Sequence, residues 1–511
     1  MSTEGFSNEY VYPKRYFQQC APIHLKLVAA LNGHQSTPLT NPFTYLELGC
    51  GNAISLCIHA AANPLGHFYG IDHRTEYIQF SQKFAKLAGI SNVTFIHSSF
   101  SNLLLEAIPD CDFIVLQGVY SQVKESVRED IRKIVHKKLT ERGIFYVNYH
   151  AKPGWTNLEQ LQELIGRGVN LNNLDSDQLS TNIQMIDDLI WNQAEYFTVN
   201  QHSVKIFDEL KEHSKEQLMR QFAHGKTKAF YLYDVVEDFH RIDLAYLGSA
   251  VTANCYEQLV VPTRFYGVLQ KYNNRLYKDH MIDFIVNTAF REDLFVRSAA
   301  MSTQTPNNIK LFEGLYFTAT NDQDMIKNGV KLQYRTYKFE GKIAMTILDL
   351  LSDESMALHP LLLHPNLIKH DLSEVYNIFR LMVALKVVTP CLSQLRVIKD
   401  YKAEAENNMI IAKTNAVLFD LYSKENSPKP FVSSVAGSGL WVPNLVAIFA
   451  YALIVNQSDI DRASKWIITR MPKDQVKGAV ERQERVKQML TEVQENNLPY
   501  LAKYGVYISA R

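Results

Sequence analysis

The run Glu47-Leu48-Gly49-Cys50-Gly51-Asn52-Ala53 sets an acid just ahead of a Gly-x-Gly turn. Glycines let the backbone turn sharply and approach a ligand with no Cβ in the way. A helix that starts there presents free N–H groups. The chemistry this suits is nucleotide binding. A dinucleotide enzyme would hold a pyrophosphate and usually show Gly-x-Gly-x-x-Gly, but Ile54 occupies the third position. Glu47 would repel a pyrophosphate and suits a cationic or zwitterionic ligand instead. Cys50 reads as a small filler of the turn. Asp72 follows Gly51 by 21 residues, where a carboxylate can accept both hydrogen bonds of a ribose diol. Together these residues suit the methionine and ribose parts of S-adenosylmethionine. Glu47, Gly49, Cys50, Gly51 and Asp72 are the expected contacts, and a dehydrogenase is the disfavoured alternative.

The rest of the site is expected at later strand ends. His97-Ser98-Ser99-Phe100 offers Ser99 where methyltransferases usually place an acid near the adenine amino group, with Phe100 to pack on the ring face. Gln117 and Gly118 follow the fourth apolar run and complete the cofactor set. Methyl transfer from a sulfonium needs in-line geometry and a nucleophile with a free lone pair. Tyrosine hydroxyls and amide oxygens can orient an amine without titrating. Tyr120, Tyr149 and Gln117 are therefore the catalytic candidates, with Asn148 and His150 beside them. Trp155 could hold a cation over its ring, yet after Pro153-Gly154 it equally reads as a turn anchor. His150 and His73 read more simply as surface histidines.

Elements in alternation must position these residues. Apolar runs at 44–48, 67–71, 93–96, 113–116 and 144–149 predict five strands. Helical patterns at 75–88 and 126–139 lie between them, with Gly89 and Gly143 as stop signals. The alternation predicts a largely parallel sheet that binds at the carboxyl ends of its strands. Residues 24–31 form a helix ahead of it, able to cover the site or the sheet edge. Residues 155–189 read as mostly helical, a candidate lid or dimerisation insert. Later come a helical pattern at 231–239 and a segment at 283–297. Helices at 342–351, 358–363 and 372–385 precede a β-like 387–389, an order like that of a winged helix. Pro360 fits only a first helical turn. An apolar helix at 443–455 and a charged helix at 475–493, with Glu481 and Arg485 able to pair at i,i+4, close the chain.

The fold class expected is α/β. A Rossmann-like domain at 1–165 is followed by a helical insert at 166–225 and a mixed α/β regulatory region at 226–330. A winged-helix-like region at 331–415 and a helical region at 416–511 complete the layout. Basic and acidic side chains balance at 53 each, so no global field favours nucleic acid. Residues 372–386 offer only Arg380 and Lys386 for phosphate contacts. Six scattered cysteines without a Cys-x-x-Cys pair argue against zinc or a disulfide framework and for reduced thiols. No metal site is expected. The polar start, 1–15, carries no secretory h-region, and 445–455 is too short to span a membrane. A cytoplasmic location is expected, with signal-less export open and a homodimer allowed.

These residues together resemble a known family. Ser99-Phe100, Leu116-Gln117-Gly118-Val119-Tyr120-Ser121 and Tyr149-His150-Ala151-Lys152-Pro153-Gly154-Trp155 resemble bacterial class I methyltransferases that carry a methyltransferase regulatory domain. Tyr246-Leu247-Gly248-Ser249-Ala250, Asp283-Phe284, Phe290–Arg297 and Val435–Gly439 resemble that family's later signatures. The resemblance is to the rickettsial type of protein-lysine methyltransferase. It implies S-adenosyl-L-methionine as cofactor and exposed lysines of a large protein as acceptor. The chain departs from the pattern at Gln117, where histidine is frequent, at the serine pair, and at Ala53. A methyltransferase acting on a small molecule or RNA is the alternative within the fold. A non-catalytic regulatory or protein-binding protein that keeps the cofactor fold is the alternative outside it.

Overall fold

The computed structural model describes residues 14–103, 105–166, 176–214, 218, 227–301, 309–320, 322–470 and 479–509. Five strands fall where the apolar runs predict them: β1 Phe43–Leu48, β2 Gly66–Asp72, β3 Val93–His97, β4 Cys111–Leu116 and β5 Leu139–His150. Two more, β6 Leu244–Ser249 and β7 Phe290–Arg297, join the same sheet in the order β3-β2-β1-β4-β5-β7-β6. The first five are parallel, while β7 runs antiparallel to both β5 and β6. The expectation of a largely parallel sheet thus holds for the first five strands. A single Rossmann-like α/β sheet draws on residues from both sides of position 226.

Helix α1 Pro22–Leu31, α2 Ile54–Ala62 and α3 Thr75–Ala88 cover one face of the sheet, and α4 Glu125–Lys138 the other. Gly89 ends α3 in the left-handed conformation at φ +77, which an L side chain adopts only at a cost. Gly143 does no such work. Helix α4 stops at Lys138, Leu139 is already extended, and Gly143 lies inside β5. The peptide simply passes from helix to strand without a left-handed cap.

The insert contributes α5 Thr156–Gly166 and helices Ser176–Trp191, Glu195–Val199 and Gln201–Lys211, with a small core of their own around Leu161, Ile186 and Phe207. The insert's residues 167–175, 215–217 and 219–226 lie outside the described residues. Helices Lys342–Asp353, Leu358–Leu362 and Leu372–Ala384 then precede strand Val388–Cys391, in the order the sequence predicts. Pro360 sits within the first turn of the short middle helix. The central strand of this three-stranded sheet, Tyr316–Ala319, comes from ahead of the first of these helices.

The tail's apolar helix, Asn444–Val455, is packed in the core, and Ala479–Glu492 is the charged helix. The Glu481–Arg485 pair lies outside the described side chains. The C-terminal elements pack on the α1–α3 face. Asn63 Nδ2 donates to Gly437 O at 2.9 Å, Thr414 Oγ1 to Ala88 O at 3.2 Å, and Gly439 N to Tyr16 OH at 2.6 Å. All six cysteines are free thiols. Among the described residues no helix is long and apolar enough to cross a membrane.

Candidate active site

The glycine turn lies at the carboxyl end of β1, between β2 and β4. Gly49 and Gly51 adopt φ +76 and +54, and Ala53 follows at +50 to start α2. Ala53 holds a left-handed backbone that glycine would adopt more cheaply. A Cβ on Gly49 would stand 2.6 Å from Val119 Cγ2 and 3.9 Å from Phe100 Cζ. Phe100 and the loop after β4 therefore close over the turn, as a nucleotide site requires. Gly49 N and Cys50 N both donate to Ile71 O, at 2.8 and 2.9 Å, tying the turn to β2. Cys50 is a buried filler, as expected.

Asp72 ends β2 with its carboxylate held by two backbone donors. Oδ2 accepts from Gly51 N at 2.9 Å and Oδ1 from Arg74 N at 2.9 Å. An ionised carboxylate has about four acceptor positions, so two remain for a diol. A cavity of about 340 Å³, lined by His73, Arg74, Thr75, Glu76 and Tyr77, opens beside it. His73 is exposed, with Nδ1 3.6 Å from Asp72 Oδ1. Ser99 Oγ exchanges a bond with Ser101 Oγ at 3.1 Å and accepts from Asn102 N at 3.3 Å, so it organises its own turn.

Glu47 is the most exceptional group here. Its side chain is 5% exposed, and Oε2 has no hydrogen-bond partner. Burial, and then the nearby Asp72 carboxylate, push its pKa up to about 8. A buried carboxyl left unpartnered is costly and fits a site built to receive a cation. The glycine turn, Glu47 and Asp72 together suit the ammonium and ribose of S-adenosylmethionine.

Beyond Glu47 the same face of the sheet carries a row of polar side chains. Val115 pairs with Glu47 and Leu116 with Val147, so Gln117 lies level with Asn148. Asn148 pairs in turn with Glu292 on β7. Residues directly opposite each other share a face. Asn148 Oδ1 accepts from Gly118 N at 2.6 Å, and Gly118, at φ +71, has open space where a Cβ would go. Gln117 Oε1 accepts from Tyr146 OH at 2.9 Å and from the Cys20 thiol at 3.5 Å. Gln19 Nε2 donates to Glu292 Oε1 at 3.0 Å. The 3-10 turn Gln18–Cys20 ahead of α1 thus roofs this ledge.

Two catalytic candidates lie elsewhere. Tyr120 and Tyr149 are buried in the opposite face. The Tyr120 hydroxyl donates to Asp238 Oδ2 at 2.6 Å, and its ring packs on Phe230 and Phe239. The Tyr149 hydroxyl donates to Asp293 Oδ2 at 2.6 Å. Arg291 pairs there with Asp293 and Asp283, at 2.8 and 2.7 Å. Burial and these carboxylates raise both phenol pKa values. The expectation that Tyr120 and Tyr149 line an acceptor channel is thereby corrected. Strand alternation turns Tyr149 away from Asn148, and the loop after β4 carries Tyr120 under the sheet. His150 stacks on Trp155, with ring centroids 3.7 Å apart and planes 6° from parallel, and occupies one of its ring faces. Burial lowers the His150 pKa to about 4.

Gln19, Cys20, Tyr146 and Glu292 escaped the sequence reading. Only Glu292 left a trace, as one of three consecutive charges inside a strand. Among the described residues no cluster of His, Cys, Asp and Glu could hold a metal.

Residues 39–223 match the family described as "Methyltransferase domain", and residues 214–297 match "Predicted methyltransferase regulatory domain". An uncharacterized Synechocystis protein is 24% identical over 452 residues, 88% of this chain and 87% of that one. An uncharacterized Rickettsia prowazekii protein is 24% identical over 302 residues, 58% of this chain and 53% of its own length. The fold is that of Rickettsia typhi PKMT2, at TM-score 0.69 and 18% identity over 98% of this chain and 100% of that one. The same protein in complex with AdoHcy superposes at TM-score 0.68, with 18% identity over 97% of this chain and all of that one.

Proposed function

We propose that this chain, an S-adenosylmethionine-dependent methyltransferase with a methyltransferase regulatory domain, transfers methyl groups to lysine side chains of a protein. The carrying observation is the ledge beside the glycine turn. Gln117, Asn148 and Glu292 offer amide groups and a carboxylate on one face, suited to a cationic acceptor. An RNA acceptor would instead need clustered lysines and arginines for its phosphates. Similarity in fold to PKMT2, whose AdoHcy complex holds the demethylated cofactor, supports the same reading.

When bound, S-adenosylmethionine supplies a methyl group on a sulfonium with a good, neutral leaving group. The chain's own work is positioning. Glu47 would meet the ligand's ammonium, Asp72 its ribose, and Phe100 its adenine. Gly118 leaves the space through which an amine can approach, and Asn148 Oδ1, which accepts from Gly118 N, keeps a second lone pair for one of its N–H bonds.

The test is labelling with methyl-labelled cofactor against native and denatured surface proteins, peptides, RNA and a metabolite mixture. Label on lysine of a protein is expected. Label only on RNA, small molecules or other side chains removes the lysine reading. No labelling together with no cofactor binding favours a regulatory protein.

A further inference from the structure

We propose that Glu292, brought into the site by a strand of the regulatory region, takes the proton from the acceptor amine. This rests on the lysine reading above. A lysine ammonium has an ordinary pKa of about 10.4, so at pH 7 only about 4 in 10,000 are free amines. The ledge must therefore accept a proton before nitrogen can attack.

The groups of the ledge can be taken in turn. Gln117 and Asn148 do not titrate. Burial pushes the Tyr146 hydroxyl and the Cys20 thiol well above their ordinary values, so neither is an anion at neutral pH. Glu47 adjoins the glycine turn and serves the cofactor. Glu292 remains. It is half-buried, level with Asn148, and held at Oε1 by Gln19 at 3.0 Å. The charges of Glu47 and Glu292 both reach Cys20, whose thiol donates to Gln117 at 3.5 Å. The two carboxyls thus bracket the space at Gln117.

The groups facing Glu292 are Tyr146 from β5, Gln19 and Cys20 from the roofing turn, and Lys386 after helix Leu372–Ala384, while the charge of Asp293 acts on it from the opposite face of its own strand. Burial raises its pKa first, and Asp293 adds to this. Gln19, Tyr146 and Lys386 lower it. A raised carboxyl and a desolvated ammonium approach each other in proton affinity. Glu292 takes the proton, and the N–H bonding pair stays on nitrogen as a lone pair. That pair forms the N–C bond while the C–S bond breaks onto sulfur. The Glu292 proton then passes to water.

The test compares wild type with Glu292→Gln on the protein that wild type labels at lysine. The isosteric variant should bind AdoHcy as wild type does by calorimetry. At pH 7 its kcat should fall about a hundredfold to a thousandfold, within the usual range for a positioned acid or base. The deficit should shrink below about tenfold by pH 10, where the amine loses its proton unaided. An unchanged kcat, or a deficit constant from pH 7 to 10, overturns the proposal. Gln19→Ala supplies a readout if that variant does not fold. It removes a bond that lowers the Glu292 pKa, so the acid limb of the kcat profile should move to higher pH, and an unmoved limb also overturns the proposal. If wild type labels no lysine, the lysine reading falls and Glu292's role with it. Lysine labelling with an unaffected Glu292→Gln overturns this proposal alone.

Discussion

Glu47→Gln probes the cofactor half of the site. Burial and Asp72 hold the Glu47 pKa at about 8, against an ordinary 4.5. At pH 7 about nine-tenths of the empty protein therefore carries Glu47 protonated. An ammonium seated against Oε2 must draw that carboxyl back towards ionisation. Restoring it to 4.5 corresponds to roughly 5 kcal/mol of ligand–carboxylate interaction, of which about 1.4 kcal/mol is spent at pH 7 on removing the proton. Two quantities follow. Binding at pH 7 should release about 0.9 proton per ligand, and Kd should fall close to tenfold per pH unit between about 6 and 7.5. The trend should level above about pH 8, where Glu47 is mostly ionised without the ligand and the ligand's own α-amino group titrates. Calorimetry with AdoHcy in buffers of different ionisation enthalpy measures the released protons directly. Glu47→Gln should abolish both the release and the slope. Wild type that releases no proton at pH 7, or a variant that releases as many as wild type, would refute the pairing of Glu47 with the ammonium.

Asp72→Ala leaves Gly51 N and Arg74 N without their side-chain acceptor and removes the two bonds offered to the ribose; at roughly 1 kcal/mol for each ribose bond, AdoHcy affinity should drop about thirtyfold. Gly118→Ala meets no neighbour within 4 Å but must hold φ +71; stability should fall by about 1–2 kcal/mol in urea, and methylation should fall further because the new methyl enters the open space. Tyr149→Phe strips a donor from buried Asp293; it should cost about 1–3 kcal/mol of stability while AdoHcy affinity stays at the wild-type value, and a loss of affinity instead would return Tyr149 to the site. Arg291→Met leaves Asp283 and Asp293 unpaired in the core and should cost about 3–5 kcal/mol by denaturant titration.

Much of the first half of this chain is legible in the sequence because the signals are local. Strand β1 is a short, mostly apolar run, Gly49 and Gly51 take the left-handed conformations that glycine allows, and Glu47 and Asp72 sit where strand ends must put them. The five parallel strands, the αL stop at Gly89 and the late helices follow from patterns of a few residues each. The other half of the site is not local. Tyr149 and Asn148 are neighbours in sequence, yet one lies in the core below the sheet and the other holds Gly118 above it. Strand alternation separates them, but only the pairing of β4 with β5, and of β5 with β7, says which face meets the turn. Glu292 comes level with Asn148 through an antiparallel pairing about 140 residues away in the chain, and Gln19 and Cys20 arrive from the opposite direction by roofing the sheet. The glycine turn and its acids were thus determined by residue type and spacing. Their companions were decided by register and packing, because a side chain's partners across a sheet depend on strands that the local sequence does not specify.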